Sequence, residues 1–324
     1  MWTTAASAVA LLLAGLTAGV VPVPPPVQYA RAQTSESTGS LPSQNGKVLS
    51  FTLAYLALKV HDPNAQEVAQ HAAGDAPLLV FLPATGEVPN NYREYLATAV
   101  SVGYSVLGLD YWNIGRSVTR TCRANAECYT QLQQNRYDGS HPSRFSRVGA
   151  ANSIERRFAA AIAYLEKQDA SGDWGRYIVD GHPNWSRVVF AGHSQGGGES
   201  AFISHYHRVR GVLMYSSPVE TYGDVAASWM RTRGATPPSR MYGFDDVHDI
   251  YFHRIVGSWQ RLGMGTPDAR HASRVPTGGH VLLSSLDIGN PLESHGHTVD
   301  DAGPRTERAM VFAPTWRWML EQVR

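Results

Sequence analysis

The sequence predicts an α/β fold with a mostly parallel central sheet and helices on both faces. Three observations point there. Short apolar runs rich in Val, Leu and Phe recur along the chain, each about a strand in length. Between them lie longer stretches with helical spacing of apolar side chains, and such alternation builds parallel sheets covered on both sides. Of the 324 residues, 43% are hydrophobic and 17% are charged, enough apolar material for a large core and too little charge for a disordered chain.

The elements follow in order. Residues 48–60 alternate as an opening strand or hairpin. Residues 77–82 (PLLVFL) are a buried strand that runs into Pro83-Ala84-Thr85-Gly86. Residues 90–102 have helical spacing, with Tyr92, Tyr95, Leu96 and Ala99 on one side. The next strand covers 104–109, and a long loop carrying both cysteines starts at Asp110. Residues 154–165 form an amphipathic helix through Ile154, Phe158, Ala161, Ile162 and Leu165. Then come a strand at 187–191, a helix at 196–209, strands at 211–215 and 240–244, a helix at 250–262, a strand at 281–288 and a final helix at 315–323 beside Pro314. No internal repeat or dividing linker interrupts this succession.

The first residues read as an export signal. Residues 8–21 are apolar around Leu11, Leu12, Leu13 and Leu16, a run too short for a comfortable membrane span. A proline-rich stretch and Ala30-Arg31-Ala32, an A-x-A pattern, follow it. The expected organisation is a signal peptide over 1–32, a flexible Ser/Gly-rich leader over 33–47 and a catalytic domain over 48–324. Since no Lys or Arg precedes the apolar run, an uncleaved anchor is the alternative. The two cysteines, Cys122 and Cys128, suit a small disulfide loop in an oxidising compartment, and the protein is expected to be secreted or periplasmic, without stable membrane insertion after cleavage. A formal net charge of +1 gives no basis for a nucleic-acid partner.

The chemistry is carried by Gly192-His193-Ser194-Gln195-Gly196, a G-x-S-x-G pentapeptide. The β-branched run Val188-Val189 leads in and a helix leads out, the strand–turn–helix that makes such a serine a nucleophile at a sharp turn. No phosphate-cradling G-x-x-x-x-G-K-[ST] or G-x-G-x-x-G is present.

At these residues the chain resembles the α/β-hydrolase superfamily, and within it a family of exported bacterial serine hydrolases described as lipase- or esterase-like. Residues 76–324 carry the resemblance. Its landmarks are Leu79 through Gly86, the Cys122/Cys128 loop, Arg156, Trp174-Gly175, and Trp185 leading into the serine motif. The fold so implied orders its triad as Ser, acid, His, and builds its oxyanion hole from two backbone N–H groups. One belongs to Gln195; the other belongs to Thr85, with Ala84 next in line, since Pro83 has no N–H.

The base is sought after the last strand, where His295 and His297 both stand. His295 through Asp300 fits the family's pattern, whereas His297 follows a glycine as catalytic histidines often do. The pair lacks a third metal ligand nearby. The acid is sought past 240–244, where Asp249 precedes the next helix and Asp246 lies three residues beyond Gly243; Asp249 is preferred and Asp246 is the alternative. His193, His205 and His207 read as surface or packing residues. The loop 111–145 offers Tyr111, Trp112, Tyr129 and Tyr137 as aromatic surface for a pocket rim.

The expected function is hydrolysis of a small-molecule or polymeric carboxylic ester through an acyl-enzyme, without a cofactor or metal. Acyl transfer to an alcohol by the same triad is one alternative. A non-catalytic binding protein is the other, since a fold alone never proves activity.

Overall fold

The protein is described here from a computed structural model covering residues 45–53 and 66–324. The expected signal peptide 1–32, most of the leader 33–47 and the second half of the stretch 48–60 lie outside the described residues. Eight strands form the main sheet: Leu49–Phe51 (β1), Glu67–Gln70 (β2), Leu78–Leu82 (β3), Ser105–Gly108 (β4), Val188–His193 (β5), Gly211–Tyr215 (β6), Met241–Asp246 (β7) and Val281–Ser284 (β8). Their spatial order is β1-β2-β4-β3-β5-β6-β7-β8. β2 pairs antiparallel with both β1 and β4, and every other pairing is parallel. This is the α/β-hydrolase arrangement.

The apolar runs are continuous because both faces of the sheet are covered. Leu78, Val80 and Leu82 of β3 point into one core layer, while Leu79 and Phe81 point into the other. The helices are Arg93–Val102 (α1), Val118–Cys122 (α2), Ala126–Asp138 (α3), Ile154–Gln168 (α4), Gln195–Tyr206 (α5), Phe252–Arg261 (α6), Pro291–Gly296 (α7) and Ala313–Val323 (α8). α1 and α8 cover one face through Tyr95, Leu96, Trp316 and Leu320. α4 and α5 cover the other through Phe158, Ile162, Leu165 and Phe202. Each such fully buried side chain contributes about 1.5–3 kcal/mol against exposure.

Three departures from the sequence reading have physical causes. β2 (EVAQ) carries a carboxyl residue, Glu67, that is fully buried and accepts from Nη2 of Arg157 of α4 at 2.5 Å. Arg156, one of the landmarks of the resemblance, is exposed instead. The cysteine-bearing segment, expected as a loop, contains α2 and α3. They are Thr-, Gln- and Asn-rich, without a strong apolar stripe, and start on the side-chain caps Ser117 and Asn125. Cys122 and Cys128 are bonded to each other across the α2–α3 turn. Finally, β8 ends at Ser284 rather than 288, and α7 follows under an Asn290/Glu293 capping box. Among the described residues no helix is long and apolar enough to cross a membrane.

Candidate active site

β5 delivers Ser194 at the C-terminal edge of the sheet, where the chain reverses into α5. The serine has φ 49° and ψ −111°, a strained conformation for a residue with a side chain. Two backbone constraints hold it. Its N–H donates to Tyr215 O at 2.9 Å, and the turn closes so tightly that a Cβ on Gly192 would stand 2.3 Å from the carbonyl carbon of Gly196. The turn needs glycine at both positions, since a Cβ on Gly196 would meet Leu82 O at 2.0 Å.

Ser194 Oγ donates to His295 Nε2 at 2.8 Å, and His295 Nδ1 donates to Asp249 Oδ2 at 2.7 Å. The Asp249 side chain is fully buried and that of His295 nearly so. The Tyr251 ring stands edge-on to the imidazole, with centroids 4.9 Å apart. The structure thus brings Ser194, His295 and Asp249 together. His297 turns away, and its Nδ1 donates to Asp300 at 3.0 Å. Asp246 folds back on its own loop, where its Oδ1 accepts from the N–H and Nδ1 of His248. Asp245 is buried beside Asp249. Burial first, then the Asp249 charge, pushes its pKa well above the carboxylate range.

Thr85 and Gln195, the expected oxyanion donors, both line the recess over Ser194. Gln195 opens α5, so its N–H is among those a helix leaves without an intrahelical acceptor. The Ala84 N–H is engaged, donating to Tyr92 Oη at 3.2 Å. This leaves Thr85, whose Oγ1 donates to Gln195 Oε1 at 2.9 Å and ties the two donor residues together.

Sequence reasoning missed the side chains that hold this loop. Asn113 Nδ2 donates to Ala84 O at 2.6 Å and to Glu87 O at 2.8 Å. Tyr111 Oη donates to Pro83 O at 3.0 Å and accepts from Gln195 Nε2 at 3.1 Å. His193 is buried, and burial followed by the neighbouring His295 lowers its pKa to about 3, so it is neutral. Its Nε2 lies 2.9 Å from His295 O, a carbonyl that can only accept, so Nε2 carries the proton. Nδ1 therefore accepts from Tyr92 Oη at 3.0 Å. One chain of bonds runs from Ala84 through Tyr92 and His193 to the backbone of His295. The only sequence signal for it was the apolar side of α1 and the His that precedes the serine.

A narrow recess opens over Ser194. Thr85 and Gln195 form one wall; Ser117, Val118 and Thr119 of the α2 start, Val219, Glu220 and Tyr251 form the rest. The cysteine-bearing segment thus contributes to the rim, but not through its tyrosines: Tyr111, Tyr129 and Tyr137 are buried in the core. The recess leaves about 320 Å³ of free space, open solvent included. Glu220 is 2% exposed. It accepts from Gln133 Nε2 and from Trp229 Nε1. Burial pushes its pKa up to about 7, against the pull of those two donors and of Arg136.

No protein-family model and no curated protein matches the sequence. Among solved structures, an S-formylglutathione hydrolase from Agrobacterium tumefaciens is 11% identical, with 90% of this chain and 99% of that one covered at a TM-score of 0.42. Thermogutta terrifontis esterase 2 phosphonylated by cyclosarin is 14% identical over 87% and 92%, at 0.41. A glucuronoyl esterase from Solibacter usitatus is 11% identical over 94% and 88%, at 0.39. Likenesses this distant assign neither activity nor substrate to this chain.

Proposed function

We propose that the protein hydrolyses carboxylic esters of short acids through an acyl-enzyme on Ser194. The observation that carries this reading is the continuous chain from Ser194 Oγ through His295 to the buried Asp249. In the proposed cycle His295 Nε2 takes the serine proton as Oγ attacks the ester carbonyl. The N–H groups of Gln195 and Thr85 receive the developing oxyanion. The imidazolium returns its proton to the leaving alcohol. Water, activated by the same imidazole, then releases the acid. Asp249 holds the Nδ1–H tautomer and offsets the imidazolium charge without taking the proton.

The short acyl group is assigned from the narrow recess over Ser194, where Val118, Val219 and Tyr251 give it apolar contact. The disulfide supports a site of action in an oxidising compartment, in keeping with the export signal expected from the sequence.

The test is turnover of p-nitrophenyl acetate, butyrate and octanoate. The expected result is kcat/KM at least about tenfold higher for acetate than for octanoate. A preference for octanoate would overturn the short-acyl assignment, and absence of turnover on all three would overturn the esterase reading.

A further inference from the structure

A second, larger cavity of about 390 Å³ lies at the opposite edge of the sheet. It sits where β7 begins, at Met241, whereas Asp246 ends that strand on the active-site side, about 17 Å away at 3.3 Å per residue. Its size is that of a small-molecule site. Three exposed arginines are among the residues that line it: Arg231 and Arg233 from the segment before β7, and Arg261 from the end of α6. Among the described residues no carboxylate lines the cavity, and the side chains of these three arginines make no hydrogen bond or ion pair. Met230, Met241 and Leu262 supply an apolar floor. The wall is fixed: His205 Nε2 bonds Thr232 Oγ1 at 3.1 Å, and Ala235 N–H donates to His205 O at 2.8 Å.

The charge is local. The whole chain carries a formal +1, yet three cations from two separate elements converge here without a counter-charge. Arginine forks match oxyanions of phosphate geometry, and these three line one cavity that has no carboxylate in its lining. The apolar floor gives a bare ion nothing to contact. We infer that this cavity binds a small organic phosphate or sulfate monoester, its oxyanion on Arg231, Arg233 and Arg261 and its apolar body on Met230, Met241 and Leu262. The site is independent of the active-site recess.

The test is calorimetric titration of the full chain carrying Ser194→Ala with benzyl phosphate, inorganic phosphate and benzyl alcohol. Benzyl phosphate is expected to bind one per chain, more weakly as salt is raised, and more tightly than either fragment. Arg231→Ala with Arg233→Ala, and separately Arg261→Ala, are each expected to weaken it about tenfold or more. In the Ser194 enzyme these changes leave p-nitrophenyl acetate turnover and Tm as they were. No saturable binding, or binding untouched by the arginine changes, would overturn the inference. Equal affinity for inorganic phosphate would overturn the role given to the apolar floor.

Discussion

Tyr92 links the Ala84 N–H to His193 and, through it, to His295 O, and removing its oxygen tests that arrangement. In Tyr92→Phe the Ala84 N–H loses its acceptor and His193 Nδ1 loses its donor, both in a fully buried site. A buried polar group left unpaired costs about 1–3 kcal/mol, so the two together cost about 2–4 kcal/mol, the 3.2 Å bond counting at the low end. For a domain of this size that lowers Tm by roughly 3–7 °C. Activity falls as well, because both the Thr85 donor and the His295 backbone lose a tether, and misplacement by an ångström costs up to about 10²-fold. The control is Tyr95→Phe. Its hydroxyl accepts from Tyr215 Oη at 3.1 Å in the same buried layer without touching the site. Both variants are expected to lose Tm, but only Tyr92→Phe to lose kcat on p-nitrophenyl acetate, by about ten- to a hundredfold. A Tyr92→Phe enzyme with unchanged kcat, or equal kcat losses in both variants, would refute the positioning argument.

Three further outcomes are expected. Asp249→Asn should lower kcat on the order of 10⁴-fold by presenting the wrong imidazole tautomer, while Asp246→Asn, whose partner is His248, should stay within about tenfold of the parent; pre-steady-state and steady-state ester assays read both. Glu220, raised to about 7 from 4.5, makes the folded state hold a proton that the unfolded chain releases. Its contribution is therefore full below about pH 4.5 and is lost as pH rises through 7, by roughly 3 kcal/mol at most. Urea unfolding from pH 5 to 8 should show Glu220→Gln with a smaller loss of stability than the parent across that window. Replacing Cys122 and Cys128 by serine should lower stability by about 2 kcal/mol, the closure entropy of so short a loop, as read by Cm in urea under non-reducing conditions.

Much of the sheet was legible because its central strands are apolar on both faces. β3, β5 and β6 announce themselves as apolar runs, the apolar part of β7 is shorter and runs from Met241 to Phe244 before its two aspartates, and the serine turn follows β5 directly. β2 was not legible, because Glu67 breaks its apolar pattern and its partner, Arg157, lies ninety residues away. α2 and α3 were read as loop because their stability comes from caps and a disulfide rather than from a strong apolar stripe. The acid and base were narrowed to pairs, since Asp246 and Asp249, like His295 and His297, lie within a few residues of each other. Which member faces Ser194 depends on the turn after β7 and on the short helix α7, neither of which has a distinctive local pattern. The bonds through Tyr92, Tyr111, Asn113 and His193 were illegible for a simpler reason. They join segments far apart in the chain, and each residue alone reads as packing or loop.

The most direct measurement is labelling of the purified protein with a fluorophosphonate, followed by mass mapping of the adduct, beside Ser194→Ala. One adduct per chain on Ser194, with labelling and p-nitrophenyl acetate turnover both lost in Ser194→Ala, is the expected result. A folded protein that takes no label, or takes it elsewhere and keeps its turnover without Ser194, would contradict the assignment of Ser194 as nucleophile.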